Sequence, residues 1–219
     1  MFFGGKKITA LLTALFMFWL TCGYALPVNA CVGRKITIGY KAFTEQAILA
    51  ELLGILIEER TGTKVTLKEI EDTMEAHKAI EENEIQLYIE YTGVGLKEIL
   101  GGKVEKNPDK VYEQVKEAYK KNFDLIWLKT FGFNTQNASY KEEMTEGYPL
   151  FAAPIVRHDT LKKFPALARL INKLNGKIDN GIMNGLISKV EKDGKPAKEV
   201  AGDFLNKLGV AFSFTPGNA

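Results

Sequence analysis

Histidine and cysteine are scarce, with two of each in 219 residues, and neither type clusters. His77 and His158 lie far apart and read as ordinary surface or helix-capping residues rather than metal ligands. Cys22 falls inside an apolar N-terminal stretch and Cys31 just beyond it, so the rest of the chain has no disulfide and depends on its core. An excess of one charge is also missing, since 29 Lys and Arg oppose 27 Asp and Glu. That balance gives no basic surface for nucleic acid, and the lysines of KEAYKK (116–121) and LKKFP (161–165) read as solvated helix faces. No nucleophile elbow, zinc-binding helix or phosphate loop is present; GGK at 101–103 lacks the spacing for the last. Glu90 is a candidate general base, but no acid or nucleophile accompanies it in sequence. The NAS triplet at 137–139 matches a glycosylation acceptor, a pattern short enough to recur by chance. The chain is therefore not read as an enzyme, and nothing in it asks for a cofactor or metal.

What the chain does have begins with a leader. Lys6 and Lys7 precede an apolar run from Ile8 to Val28, and small residues stand at Ala25 and Ala30. This is the pattern of a secretory signal over 1–30. A retained membrane anchor is the alternative for an apolar run of that length. Cutting after Ala30 leaves Cys31 first, which resembles a loose lipoprotein box with an unusual Asn29 and predicts a lipid anchor through Cys31. Cutting after Ala25 leaves a free chain beginning at Leu26. Either cut predicts an exported protein, in the periplasm or cell envelope. With Lys6 and Lys7 removed, basic and acidic residues balance at 27 each. The composition, 46% hydrophobic and 26% charged, suffices for one good core or two small ones.

Beyond the leader, strands and helices alternate. KITIGY (35–40) is a short strand, and Thr44 caps a helix to about Arg60 that Gly62 closes. Val65–Glu69 is a second strand, and Asp72 with Glu75 forms a capping-box pattern for a helix through Asn83. In IQLYIEY, Ile85, Leu87 and Ile89 share one face of a third strand, followed by a short helix from Gly93 to Leu100. Asn107-Pro108 opens a further helix, and LIWLKTF (125–131) is a fourth strand. This order predicts an α/β fold, a mostly parallel sheet flanked by helices. From 134 to 147 the chain is polar without a period and reads as a linker. LFAAPIVR (150–157) resumes as a strand, then helices follow over about 159–175, 179–191 and 197–208, with a frayed tail at 209–219.

The run IQLYIEYTGVG ends on an acid, a tyrosine, a threonine and a glycine in immediate succession. In an open α/β sheet that place, the C-terminal end of a strand, is where ligands bind. Lys41, Phe43 and Thr44 follow the first strand, and Tyr91 and Thr92 end the third. In a parallel sheet both loops open on one edge. Aromatic faces attract quaternary ammonium groups, by about 2 kcal/mol or more when desolvated. A lysine and hydroxyls suit a carboxylate at the other end of such a ligand. The plainer alternative is a solvated lysine, a helix staple at Phe43 and a polar strand end with a turn glycine.

KITIGYKAFTEQAILAELLGILIEERTG, DTMEAHKAI, IQLYIEYTGVG, LIWLKTFGFN and the segment from APIVRHDTLKKFPALARLINKLNGKI to GKPAKEVAGDFLNKLG occur in this order. Together they resemble the exported substrate-binding proteins of glycine betaine, choline and carnitine ABC importers, over roughly 32–133 and 148–208. The resemblance implies a type II periplasmic-binding-protein fold, a small quaternary ammonium ligand and an ABC permease in the membrane as partner. It assigns Tyr91 to one wall of an aromatic cage and Lys41 to the ligand carboxylate. The pattern also departs from that family. Val94 stands where a second threonine is usual, and Asn137 and Leu150 where two further cage tyrosines are expected. Glu71 and Asp72 replace a glycine pair before Thr73.

The link from 134 to 147 also stands where the family inserts a second lobe of roughly 100 residues, a domain's worth. Residues 32–133 and 148–208 are then expected to form a single lobe, without hinge closure. A receptor of this kind binds a quaternary ammonium osmolyte alone or with a second chain completing the cleft. The alternative is a protein-interaction module, or a degenerate receptor lobe without small-ligand binding, which docks on the permease or self-associates and exposes an apolar cleft edge.

Overall fold

The computed structural model describes residues 35–135 and 147–210. The leader, Cys31, the NAS triplet with Asn137, and the tail from 211 lie outside them. A five-stranded sheet runs β2–β1–β3–β5–β4. Its strands are β1 (Lys35–Lys41), β2 (Lys64–Ile70), β3 (Leu87–Tyr91), β4 (Leu125–Trp127) and β5 (Ala152–Arg157). β1 pairs in parallel with both β2 and β3, whereas β5 lies antiparallel between β3 and β4. Four strands thus share one direction. The mostly parallel sheet is present, with one reversed strand that the βα rhythm did not announce.

Helices cover both faces. The first, α1 (Thr44–Thr61), is apolar nearly all round and is correspondingly buried, from Ile48 to Ile57 almost without interruption. It lies against the sheet on one side and against α5 (Leu167–Ile171), α6 (Asn180–Glu191) and α7 (Ala197–Lys207) on the other. Each fully buried Leu or Ile there contributes roughly 1.5–3 kcal/mol of apolar transfer. α2 (Thr73–Glu81) and α3 (Pro108–Phe123) cover the opposite face over a second core built on Tyr88, Tyr119 and Trp127. The caps follow the sequence signals. Asp72 accepts from the Glu75 amide, Asn107 from the amides of Asp109 and Lys110, and Asp179 from Ile182.

Several local expectations are corrected. Both faces of β3 are buried, as suits a strand inside a sheet covered on two sides. Leu87 and Ile89 face the α1 core, but Ile85 precedes the strand and packs with Tyr88 in the other. Phe43, not Thr44, is the N-cap of α1, and no side chain caps it. The segment after β3 is one helical turn, Thr92–Val94, widening into a π-turn at Gly95–Ile99. Regular pairing of LIWLKTF stops at Trp127; beyond it Leu128 and Phe131 donate singly to Pro154 and Ala152 carbonyls. The helix expected over 159–175 is broken around Pro165 into α4 (His158–Lys163), α5 and a 3-10 turn at Asn172–Leu174. His77 is buried rather than at the surface, its ring edge-on to Tyr119 and Phe123. Burial pushes its pKa below the usual value, against the opposing influence of Glu81 and Glu90. His158 opens α4, with Nδ1 2.7 Å from Asp124.

The chain leaves the sheet and re-enters it at adjacent points. Asn134 bridges Phe151, the Thr135 amide donates to the Leu150 carbonyl at 3.1 Å, and the Leu150 amide donates to Asn134 Oδ1 at 2.9 Å. The two ends of the link are therefore tied together.

Candidate functional site

Because β1 and β3 are parallel neighbours, their C-terminal ends lie on one edge of the sheet, and the turn into α1 closes over it. Gln46, in the first turn of α1, fixes this corner: it accepts from the Lys41 amide and donates to the Ile89 carbonyl, each at 3.2 Å. The edge brings three of the five predicted residues together. The Phe43 and Tyr91 rings are stacked with centroids 6.5 Å apart and 21° between planes. Lys41 Nζ lies 5.2 Å from the Tyr91 ring centroid. Tyr91 is 0% exposed, and its hydroxyl donates to Glu45 Oε1 at 2.5 Å. Burial, reinforced by the Glu45 carboxylate, raises the phenol pKa well above its ordinary value.

Lys41 is held from a second direction. Its ammonium donates to Glu90 Oε1 at 2.8 Å and to Thr73 Oγ1 at 2.9 Å. Lysine and glutamate are both buried, and the Tyr91 amide adds a 2.8 Å bond to Glu90 Oε1. Isolated, either charge is costly to bury by several kcal/mol, a cost the pair and its hydrogen bonds offset. Glu90, considered in sequence as a general base, is thus the counter-ion of Lys41.

The other two predicted residues sit differently. Thr44 is the first residue of α1 and half-buried. Thr92 Oγ1 donates to the Pro149 carbonyl at 3.0 Å and accepts from the Phe151 amide at 3.2 Å, tying the strand end to the returning chain. Thr92 also lines a surface cavity of about 280 Å³ with Tyr112, Lys129 and Phe151, to which none of the other four contributes. Gly93 explains the glycine of the EYTG run. A Cβ there would lie 2.8 Å from the Pro149 carbonyl oxygen, an approach that only glycine permits. Val94 and Leu150, which replace expected polar and aromatic residues, are buried in the α1 core.

Sequence reasoning named Thr73 only for the residues that precede it and missed its contact with Lys41, together with Glu45 and the pairing role of Glu90. Glu45 and Gln46 were visible as the acid and amide following Thr44. Thr73 and Glu90 carried no local signal, lying 32 and 49 residues from Lys41. Among the described residues no group of three or more His, Cys, Asp or Glu is placed to hold a metal.

Crossover helices on both faces of a mostly parallel sheet make this an α/β protein, with charged and aromatic side chains gathered at its strand ends. Residues 34–150 and 147–207 match the model of the substrate-binding domain of ABC-type glycine betaine transport systems, and the chain belongs to that family. Among curated relatives it is 28% identical over 150 residues to an ergothioneine transport permease/ergothioneine binding protein of Helicobacter pylori, covering 66% of this chain and 26% of that protein. It is 29% identical over 191 residues to a carnitine transport binding protein of Listeria monocytogenes, covering 81% of this chain and 56% of that one. The chain therefore spans about a quarter and about half of the lengths of these two relatives. A crystal structure of a glycine betaine/carnitine/choline ABC transporter protein shares the fold, with a TM-score of 0.72, 19% identity, and 81% of this chain and 99% of that one covered. So does the apo form of YehZ from Escherichia coli, with a TM-score of 0.66, 18% identity and the same coverage. The fold is that of the type II periplasmic binding proteins.

Proposed function

We propose that this chain is the exported solute-binding component of an ABC importer for quaternary ammonium compounds, built as a single lobe. The observation that carries the proposal is the convergence of Lys41, Phe43 and Tyr91 at the C-terminal ends of β1 and β3 in a member of this family. The half-buried Phe43 ring offers a quaternary ammonium group an aromatic face, with the fully buried Tyr91 ring stacked behind it, and Thr44 and Thr92 flank them in sequence at the same strand ends. The single-lobe reading is supported by the paired ends of the 134–147 link, which leave the chain to re-enter the sheet where it left. Residues 32–133 and 148–208 then make one lobe, and a second chain or the permease completes the cleft. The protein works outside the cytoplasm, as the substrate-binding proteins of this family do, with a lipid anchor at Cys31 if the leader is cut after Ala30. No helix among the described residues is long and apolar enough to cross a membrane.

The alternative of an interaction module without a small ligand anticipates an exposed apolar edge. Among the described residues the exposed large hydrophobics are Met74 and Ile182, on separate helices. A thermal-shift panel of choline, glycine betaine, carnitine and proline betaine tests the receptor proposal. A ligand at 100 times its Kd adds about 2.7 kcal/mol, or roughly 5–11 °C for a domain of this size. No shift with any member at millimolar concentration would refute it.

A further inference from the structure

We propose that the sheet edge bearing the site is an interface with a second copy of this chain, Met74 of each copy seating in the cavity beside Tyr112 and Phe151 of the other. The inference rests on the single-lobe reading above and names the chain that completes the cleft. It starts from the exposed apolar side chains. Among the described residues the exposed large hydrophobics are Met74 and Ile182, 57% and 37% exposed. They belong to different helices but open on the same edge. Met74 stands in the first turn of α2, immediately after Thr73, whose hydroxyl meets Lys41 at the end of β1. Ile182 stands in the first turn of α6, where Asn180 Oδ1 accepts from the Asn134 amide beside the start of β5. Because β5 is antiparallel, its start lies with the ends of β1, β3 and β4. The cavity of about 280 Å³ is on this edge too, lined by Thr92 past the end of β3 and by Lys129 and Thr130 past the end of β4.

The two ends of this edge are complementary in charge. At the β2 end, Glu71, Asp72 and Glu75 flank Met74 in sequence, and all three are exposed. At the β4 end stand Lys129, Lys173 and Lys177, also exposed. The Lys129 amide donates to Asn172 Oδ1 at 3.0 Å, and the Ile178 amide donates to the Phe131 carbonyl at 3.3 Å, which ties this basic segment to the end of β4. Asp109 and Asp179 are the acids near these lysines, the second engaged in capping α6. Glu71, Lys129, Lys173 and Lys177 form no ion pair among the described residues. Four strand spacings, about 19 Å, separate the two ends. A two-fold axis across the middle of the edge brings the acidic end of each copy to the basic end of the other, so that every contact is made twice. The methionine side chain is unbranched, and its thioether suits an aromatic ring edge, which Tyr112 and Phe151 offer in the cavity. Lys129 then meets Glu71 and Asp72 of the partner subunit. Half-buried Phe43 lies between the two ends, so the second copy covers the open side of the site.

The test is sedimentation equilibrium of the purified protein over a range of concentrations. The wild type is compared with Met74→Glu, Glu71→Lys, Lys129→Glu and the double variant Glu71→Lys/Lys129→Glu. The wild type should form a dimer that added salt weakens. Met74→Glu carries a charge to the cavity and should weaken dimerisation at least tenfold. Each single charge reversal should weaken it too, and the double variant, in which every reversed residue meets a reversed partner, should recover most of the loss. The substituted positions are exposed, so the variants should fold, which circular dichroism checks. A wild type that stays monomeric at millimolar concentration, or that associates only with the permease, would overturn the proposal. So would a dimer left unchanged by Met74→Glu, or a double variant no stronger than the weaker single one. The receptor reading is tested separately. A dimer with the expected variants that binds none of choline, glycine betaine, carnitine and proline betaine keeps the interface and removes the ligand. A monomer that binds one of them keeps the receptor and removes the interface.

Discussion

Replacing Lys41 by methionine removes an ammonium 2.8 Å from Glu90 Oε1 and leaves a carboxylate that is 0% exposed. At that separation the gross attraction is about 6 kcal/mol for an effective dielectric near 20. Desolvation has already cancelled much of it in the intact pair. Stripping one partner exposes the uncompensated remainder, and for buried pairs this amounts to about 3–5 kcal/mol. Lys41→Met should therefore lower the melting temperature by about 6–20 °C, at roughly 2–4 °C per kcal/mol for a protein of this size. Glu90→Gln should destabilise for the mirror reason, with the ammonium left beside a neutral amide and Thr73. The double variant Lys41→Met/Glu90→Gln has no charge to strand, so its loss should be smaller than the sum of the single losses by at least about 2 kcal/mol. Urea unfolding of the four proteins, with comparable m-values, measures that coupling. Strictly additive losses, or a Lys41→Met cost under about 1 kcal/mol, would refute the claim that the two groups stand or fall as a pair.

Three further expectations concern the frame around the site. Gly93→Ala would put a methyl group 2.8 Å from the Pro149 carbonyl oxygen, a backbone atom that cannot swing aside. It should cost about 1–3 kcal/mol by overpacking, and an unchanged urea midpoint would count against the close approach. Asn107→Ala deletes the acceptor shared by the Asp109 and Lys110 amides at the start of α3 and should cost about 1 kcal/mol, read as a lower melting temperature. His77 is held below its ordinary pKa of 6.5, chiefly by burial. Below that value the unfolded chain takes up a proton that the folded chain resists, so stability falls as pH drops from 6.5 through the lowered native pKa and is retained above it. His77→Phe should flatten that part of the stability–pH curve; parallel curves for the two proteins would contradict the assignment.

Most of the frame was legible because it is written locally. The apolar girth of α1, the Asp72–Glu75 and Asn107-Pro108 starts, and the alternation of β1 each depend on residues a few positions apart. The family resemblance was likewise carried by continuous segments, and it pointed to the strand ends where Lys41, Phe43 and Tyr91 meet. What escaped was set by distant partners. The reversed direction of β5 depends on where the chain re-enters after 147, not on the pattern of LFAAPIVR. The face of Ile85 depends on the strand starting two residues later than the alternation suggested. His77 looked like a surface residue because α2 is polar on its outer side, yet it points inward at Tyr119 and Phe123 from α3. The chemistry of Lys41 was the least legible of all. In sequence it is a lysine beside an aromatic; only the sheet order, β1 next to β3 with α2 behind, shows that its charge is met by Glu90.

The most direct test of the account is an isothermal titration of choline into the purified protein and into Tyr91→Leu, which keeps apolar bulk and removes the aromatic face. Saturable binding by the wild type that is lost, or weakened at least tenfold, in a folded Tyr91→Leu protein is the predicted result. Equal binding by both would place the ligand away from the β1–β3 edge. A flat titration of the folded wild type with choline, and equally with glycine betaine, carnitine and proline betaine, would contradict the account at its centre.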